Sequence, residues 1–300
     1  MSQKEKQQND NFIMKIKSIF TIRILFAHLN RKTKLKIIKL NKSLQADLNL
    51  SINDYKNFSE KYSKIEIIIF PSKERKARSQ IINYDEKNKN FYHIYFNDNL
   101  NEEVKNNYIE KNEEISKIII IIDSEINTLK ELFEGCSEIE SIFFIKFLRN
   151  NITDMSAMFR GCSKLKIVKF LQVNTSNVTN MNYMFNKCPL IKELDLSKFD
   201  THKVTNMNSM FFDCKSLEKL DISNFNTDNV NSMIGMFFDC SSLKELKINN
   251  FNTKNANNTC ILNFCDIDII NQIKTQNPNI KVSLTKQDEE NANKYSCFIY

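Results

Sequence analysis

Residues 204–229 read VTNMNSMFFDCKSLEKLDISNFNTDN, and residues 178–203 just before them read VTNMNYMFNKCPLIKELDLSKFDTHK. The same pattern of apolar residues continues in both directions along the chain. Cysteines recur at a constant interval of 26 residues, and each follows a phenylalanine by three positions: Cys136, Cys162, Cys188, Cys214 and Cys240. A fixed period of this length predicts a stack of repeats, in which each unit buries its apolar side against its neighbours.

The spacing of the apolar residues changes within each unit. From Val204 to Leu217 they are three or one apart, which predicts a short helix buried on one side. From Leu217 through Leu220 to Ile222 the steps are three and two, which predicts a turn into a short strand. The polar residues around Phe225 supply turn chemistry.

These residues resemble the BspA-type leucine-rich-repeat family, whose units carry the phrase V-T-N-M-x-x-M-F-x-x-C-x-x-L-x-x-L-[DS]-[LI]-S-x-F-[DN]-T. The resemblance covers about residues 115–284. It implies a right-handed stack of β-strands and a binding role instead of a catalytic one. Many members of that family are secreted or surface-attached adhesins, and this chain lacks their leader sequence.

The sequence therefore predicts an α/β fold: a leucine-rich-repeat solenoid with 26-residue units, preceded by a small helical and β-hairpin N-terminal region. The organisation that we expect has five parts: a disordered N-terminus at 1–11, a helical segment at 12–60, a β-hairpin region at 61–110, the solenoid with its C-terminal cap at 111–284, and a disordered tail at 285–300. Strands are predicted at 65–70, 91–96 and 117–122, and a closing helix at 266–276.

We expect no enzyme activity, no cofactor and no metal. The repeat cysteines all occupy the same position of their units, which indicates a structural role as small apolar core residues with a weak S–H donor. No C-x-x-C pair or cysteine–histidine cluster is present. The three histidines, His28, His93 and His202, have no spacing typical of a metal site or a catalytic triad.

The location that we expect is intracellular and cytoplasmic. No signal peptide or transmembrane segment is visible, and regularly placed free thiols suit a reducing compartment. Residues 1–110 carry 21 Lys and Arg against 13 Asp and Glu, a net charge of +8, so the remaining 22 and 23 leave residues 111–300 at −1. No nucleic-acid motif accompanies this excess, so neither nucleic-acid binding nor stable membrane insertion is expected.

Residues 19–48 resemble an F-box, the helical motif that docks on the adaptor of a cullin ubiquitin ligase. The motif positions fall on an apolar set: Ile24, Leu25, Leu29, Leu35 and Ile38. The opening Leu-Pro and the tryptophan near the end of the motif are missing. The alternative is that these helices only cap the first repeat.

The chain ends in Cys297-Phe298-Ile299-Tyr300, a C-a-a-X shape. Tyrosine is not a usual last residue of a prenylation signal, so we expect an unmodified terminus.

The strand residues between the buried leucines would line the concave sheet of the solenoid. These candidate partner-binding residues are Phe143, Ile145, Ile167, Lys169, Leu171, Glu193, Asp195, Lys219, Asp221, Glu245 and Lys247. Exposed large apolar groups in the first units indicate an interface, unless residues 61–110 fold back over them. The leading hypothesis is a scaffold that binds an unidentified protein; the second is an F-box substrate receptor, and the third a surface adhesin.

Overall fold

The computed structural model describes residues 63–75, 77–123, 126–278 and 280. The chain divides after Tyr62, and the fold below belongs to the unit that begins at Ser63. A 3₁₀ helix at Glu86–Phe91 precedes the third strand. The other elements in chain order are β1 (Ile65–Pro71), β2 (Ser79–Gln80), β3 (Tyr92–Phe96), β4 (Tyr108–Ile109), β5 (Ile118–Ile122), β6 (Ile139–Lys146), β7 (Ile167–Phe170), β8 (Glu193–Asp195), β9 (Lys219–Asp221), β10 (Glu245–Lys247) and α1 (Ile267–Gln276).

The strands form three sheets. The largest has the order β3-β5-β1-β6-β7, in which only β6 and β7 are parallel. The second sheet is β10-β9-β8 and is parallel throughout, and β2 pairs with β4 in the third. Parallel partners lie 26 residues apart, as in Leu194 beside Leu220. Each repeat therefore contributes one short strand, which pairs in register with the strand of the next repeat except between β7 and β8.

A second parallel ladder runs alongside these strands. It consists of single bridges between equivalent residues: Thr128, Asp154, Asn180, Asn206, Ser232 and Asn257. The last step is 25 residues instead of 26, and Cys265 still occupies the position of a repeat cysteine, since its thiol donates to the carbonyl oxygen of Phe237 at 3.0 Å. The last repeat is thus one residue shorter, but its cysteine still aligns with those of the other repeats.

The predicted α/β leucine-rich-repeat solenoid with a helix in each unit is wrong. The described part of the chain is mostly β-structure in three small sheets, and α1 is its one α-helix. The segment from Val204 to Leu217, predicted as a helix, forms consecutive turns. The closing helix was predicted at 266–276 and is confirmed as α1.

Left-handed residues explain why the turns do not become a helix. Every repeat has two residues with positive φ, four positions apart, for example Ser209 at 50° and Asp213 at 61°. A right-handed helix cannot contain such residues. Alternate backbone N–H groups instead donate to the next repeat, as from Phe211 to the oxygen of Met236 at 2.9 Å. The three-residue spacing of the apolar side chains thus reflects successive turns. The backbone N–H groups of these turns need a neighbouring repeat to accept their hydrogen bonds.

The N-terminal region also differs from the prediction. Its two strands are confirmed as β1 and β3, but they do not pair with each other as a hairpin would require. β5 lies between them, with Ile119 opposite both Ile68 and Tyr95. The predicted helical segment at 12–60, the N-terminus at 1–11 and the tail at 285–300 lie outside the described residues.

The core is built from equivalent residues stacked on each other. The rings of Phe133, Phe159, Phe185, Phe211 and Phe237 form a column, with neighbouring centroids 5.2–5.8 Å apart and planes within 10°. The repeat cysteines are buried as predicted, and the methionines that recur in the same repeats are buried as well. Thr175, Thr201 and Thr227 form a third buried column, in which each hydroxyl donates to a carbonyl oxygen of the next repeat.

Both ends of the stack have polar or helical caps. At the first repeat Asn83 donates from its backbone to Leu132 at 2.7 Å, and from its side chain to the carbonyl oxygens of Glu131 and Glu134 at 2.9 and 2.8 Å. The fully buried guanidinium of Arg149 donates to the carbonyl oxygen of Ile122 at 2.9 Å. At the other end α1 buries Ile269, Ile270 and Ile273.

Candidate functional site

One side of the repeat strands faces outward. Strand residues alternate between the two sides of a sheet, and the members that lie between the buried leucines point away from the core. The predicted partner-binding residues lie on this outward side, and most of them are exposed: Ile167, Lys169, Leu171, Glu193, Asp195, Lys219, Asp221 and Lys247. Phe143, Ile145 and Glu245 are half-buried. We call this side of β1, β3, β5 and β6–β10 the outer face.

An apolar row crosses the outer face of the five-stranded sheet. It runs through Tyr95, Ile119, Ile68 and Phe143 on four neighbouring strands, and it ends at Lys169 on β7. The row places large side chains side by side, which is typical of an interaction surface. Sequence reasoning found Phe143 but missed the other three apolar members. Their alternation within β1, β3 and β5 was visible, whereas the order in which the strands pair was not.

The described part of residues 61–110 lies beside this surface and does not fold back over it. β1 pairs edge to edge with β6, so that Ile68 lies opposite Phe143 and extends the same sheet. The ring of Phe70 meets that of Phe143 edge-on, with centroids 5.7 Å apart. The hypothesis that this region covers the predicted apolar residues is therefore wrong, since it widens the apolar surface instead.

Farther along the outer face the apolar residues give way to paired charges. The ammonium group of Lys247 lies 3.2 Å from a carboxylate oxygen of Asp221 and 3.4 Å from one of Glu245. A hydrogen bond from Ser223 holds the pKa of Asp221 below its usual range, and the same type of bond from Ser197 does so for Asp195. Exposed pairs of this kind contribute little stability. These pairs leave the surface ionised, with nearly equal numbers of positive and negative charges.

The outer face opens between β7 and β8. These neighbouring strands belong to different sheets, and no strand pairing joins them within the described residues. A cavity of about 530 Å³ lies at the opening. Its lining includes Lys166, Ile167, Lys169, Leu190, Lys192 and Glu193.

The repeat thiols are placed for stability, not for chemistry. From Cys162 onward each donates to the carbonyl oxygen of the phenylalanine in the preceding repeat, for example Cys188 to Phe159 at 3.0 Å and Cys214 to Phe185 at 3.1 Å. Burial raises the pKa of the Cys188 thiol well above its usual range and that of Cys214 to about 12. A thiol that stays protonated is a poor nucleophile and a poor metal ligand.

The described histidines lie within hydrogen-bond distance of carboxylates. The ring of His93 is 3.2 Å from both Glu103 and Asp123, and His202 lies 2.6 Å from Asp200. Among the residues that the structure describes, no group of three or more His, Cys, Asp or Glu side chains could hold a metal ion.

Two other predicted sites cannot be placed. The adaptor-binding residues Ile24, Leu25, Leu29, Leu35 and Ile38 lie outside the described residues, and so does Cys297. Within the described ranges no helix is both long enough and apolar enough to cross a membrane.

Comparison with known proteins identifies a family. A family model described as "Mycoplasma protein of unknown function, DUF285" matches three overlapping stretches: residues 106–193, 127–220 and 153–272. No curated protein matches the chain, and no solved structure matches it. The three stretches together span residues 106–272, more than half of the chain and all of its regular repeats. The chain therefore belongs to this family of unknown function.

Proposed function

We propose that this protein is a non-enzymatic scaffold that binds a protein partner through its outer face. The apolar row on four neighbouring strands carries the proposal, since its half-buried side chains still face water in part and would gain free energy when a partner covers them. The charged strands β8–β10 extend the same surface and would form its polar margin, which is the usual arrangement of protein–protein interfaces.

The alternative use of the chain, catalysis, has less support. The buried thiols are protonated, and the described histidines have ordinary carboxylate neighbours. The repeat architecture itself does not decide the matter, because function resides in sites and not in folds. A binding role is what the outer face supports best.

Site-specific photo-crosslinking in cells of the source organism tests the proposal. A photoreactive amino acid replaces either Lys219 on β9 or Thr205 in the same repeat. Both positions are exposed, but Thr205 adjoins the second ladder, away from the outer face. Adducts with a distinct protein from position 219, and not from position 205, would support the proposal.

The variant with Phe143→Glu and Ile167→Glu then serves as the second arm. Two charges in the apolar region should remove the adducts from position 219 while the thermal transition of the protein stays unchanged, because both residues lie on the outer face. Adducts from position 205 alone, or adducts from position 219 that survive both charges, would contradict a docking site on the outer face.

A further inference from the structure

The opening between β7 and β8 interrupts an otherwise regular ladder. The residue before each strand normally donates its N–H group to the preceding repeat, as from Lys166 to Glu140, Glu218 to Lys192 and Lys244 to Glu218, all at 2.9 Å. Among the described residues the equivalent bond from Lys192 to Lys166 is absent. The strands still lie in contact. The ladder is thus interrupted locally between β7 and β8.

The sequence of the repeat departs from its neighbours at the same place. Pro189 and Leu190 follow the cysteine of this repeat, where the next two repeats have Lys215-Ser216 and Ser241-Ser242. Proline has no N–H group and restricts the residue before it. Leu190 is 40% exposed, although the equivalent positions in the later repeats carry serine. A large apolar side chain placed at the rim of a cavity suits contact with a ligand.

The chemistry of the cavity is both apolar and cationic. Ile167 is 43% exposed beside Leu190, and Leu171 at the end of the same strand is 50% exposed. Three lysines lie around them: Lys166, Lys169 and Lys192. Lys166 is 3.2 Å from Glu140 and Lys192 is 3.6 Å from Glu218, whereas Lys169 is in no ion pair among the described residues.

This combination selects among negatively charged ligands. A nucleic-acid backbone would gain nothing from Leu190 and Ile167, and the carboxylates of Glu193 and Asp195 beside the lysines would repel the dense negative charge of a polyanion or an anionic membrane more than that of a peptide with a few acidic residues. A peptide with apolar side chains between acidic ones fits both features. Its apolar side chains would cover the exposed leucines and the isoleucine, and its carboxylates would lie near Lys169 and Lys192. The cavity volume of about 530 Å³ falls within the usual range of ligand sites.

We propose that the opening between β7 and β8 binds an extended acidic-apolar peptide segment of a partner protein, with Leu190 and Ile167 as the apolar contacts and Lys169 and Lys192 as the charged ones. This inference rests on the proposed function, because it names the type of segment that the scaffold recognises. The inference is more specific than the proposed function, since it assigns recognition to the opening between β7 and β8.

Fluorescence anisotropy with the intact chain tests this assignment. The probe is a fluorescein-labelled peptide, Gly-Asp-Leu-Glu-Leu-Asp-Gly, and its counterpart has serine in place of both leucines. Saturable binding of the first peptide is expected, with affinity about tenfold lower for the serine peptide, since each leucine loses part of its apolar contact. Leu190→Ser should weaken binding by a similar factor and should fold normally, because serine occupies this position in the next two repeats.

The charge contacts have a matched control. Lys192→Glu should weaken binding about fivefold or more, since it replaces an attraction by a repulsion. Lys244→Glu makes the same change in net charge two repeats farther along the same column, away from the cavity, and should leave the affinity unchanged. Absence of saturable binding, or an equal loss in both variants, would overturn the inference, as would preferential binding of phosphatidylserine vesicles or of a single-stranded oligonucleotide.

The outcome separates this inference from the broader proposal. If the peptide fails to bind while photo-crosslinks from position 219 persist, the outer face is the interface and the opening is not its specific site. If crosslinks arise from position 205 alone, both proposals fail together.

Discussion

At the scale of single residues, the repeat cysteines from Cys162 onward are held by their neighbours in two ways, by burial and by a hydrogen bond. The side chain of Cys188 is fully buried, and its thiol donates to the carbonyl oxygen of Phe159 at 3.0 Å. The thiol therefore lies among apolar side chains and contacts one polar group, the carbonyl oxygen of Phe159. The sequence predicted this role correctly, because one residue type in the same position of five repeats indicates a shared structural environment.

Substitutions of Cys188 should show whether the thiol occupies a core position. Cys188→Ser and Cys188→Ala should each cost about 1–2 kcal/mol of unfolding free energy, since little volume is lost. Cys188→Asp should cost about 3–5 kcal/mol, because an unpaired charge enters the core. Urea denaturation followed by circular dichroism measures all three, with Lys192→Ala as an exposed control in the adjoining strand region. Equal stability of the Asp and Ala variants would show that this thiol is not a core group.

The raised pKa values of the thiols predict a loss of stability in alkali. Burial raises the pKa of Cys136, Cys162, Cys188, Cys214 and Cys240, so the folded chain keeps protons that the unfolded chain releases above about pH 9. The stabilisation is complete below the unfolded pKa and is lost as pH rises toward the folded one. Each such thiol should contribute a slope of about 1.4 kcal/mol per pH unit in that window.

Urea midpoints between pH 8 and pH 10.5 measure this slope. The variant with Cys188→Ala and Cys214→Ala removes two of these groups and should show a shallower loss of stability with pH than the unmodified chain. Parallel curves for the two proteins would mean that these thiols ionise as readily in the folded state as in the unfolded one.

At the scale of elements, the turn segments depend on two left-handed positions in each repeat. Gly161 has a φ of 73°, whereas Lys187 has a φ of 57° at the equivalent place one repeat later. A left-handed residue with a side chain costs about 1–2 kcal/mol relative to the right-handed conformation, and glycine avoids that cost. The two positions thus form a natural pair for exchange.

Exchanging glycine and lysine should change the unfolding free energy in opposite directions at the two positions. Lys187→Gly should raise the unfolding free energy by up to about 1 kcal/mol, and Gly161→Lys should lower it by about the same amount. An added Cβ at Gly161 would be 3.8 Å from the backbone of Gly135, so steric overlap adds little. Thermal denaturation of both variants gives the comparison. Destabilisation by Lys187→Gly together with tolerance of Gly161→Lys would argue for a right-handed, helical segment.

The cap at the first repeat gives a second prediction for an element. Asn83→Ala would leave the carbonyl oxygens of Glu131 and Glu134 without their side-chain donor, at a cost of about 1–3 kcal/mol. Asn106→Ala, at an exposed position of the same region, serves as the control and should be nearly neutral. If the two variants melt at the same temperature, water replaces the asparagine at no cost and the cap contributes nothing.

The prediction from sequence succeeded for strands and failed for the turns. β1, β3 and β5 follow from alternating or continuous apolar runs, and α1 follows from its 3.6-residue pattern. The segment from Val204 to Leu217 has apolar steps of three that suit either a helix or consecutive turns. The bonds that decide between them, such as Phe211 to Met236, join different repeats. A single repeat therefore does not contain the information that excludes the helix.

At the scale of the whole molecule, strand order determines the surface that a partner would meet. β1 inserts between β5 and β6, and this order aligns Ile119, Ile68 and Phe143 in one row. The sequence predicts these strands as separate segments and contains no sign of their order, because pairing between distant strands depends on the assembled sheet. The repeat half of the outer face was predictable, and the N-terminal half was not.

The central structural claim is that equivalent residues lie one strand spacing apart in both ladders. Neighbouring strands are about 4.8 Å apart, whereas packed helices are about 8–10 Å apart. The outer face and the opening in it exist only if the repeats are spaced like neighbouring strands. Asn127 and Asn231 are exposed and lie four repeats apart, in a column of backbone hydrogen bonds that passes through Thr153, Thr179 and Thr205.

Double electron–electron resonance between spin labels at Asn127→Cys and Asn231→Cys, in a Cys297→Ser background, is the most direct test. Four strand spacings predict a mean distance of about 20 Å between the two sites. A mean distance of about 32–40 Å would instead correspond to four helix spacings, and it would contradict the turn-based stack on which the outer face rests.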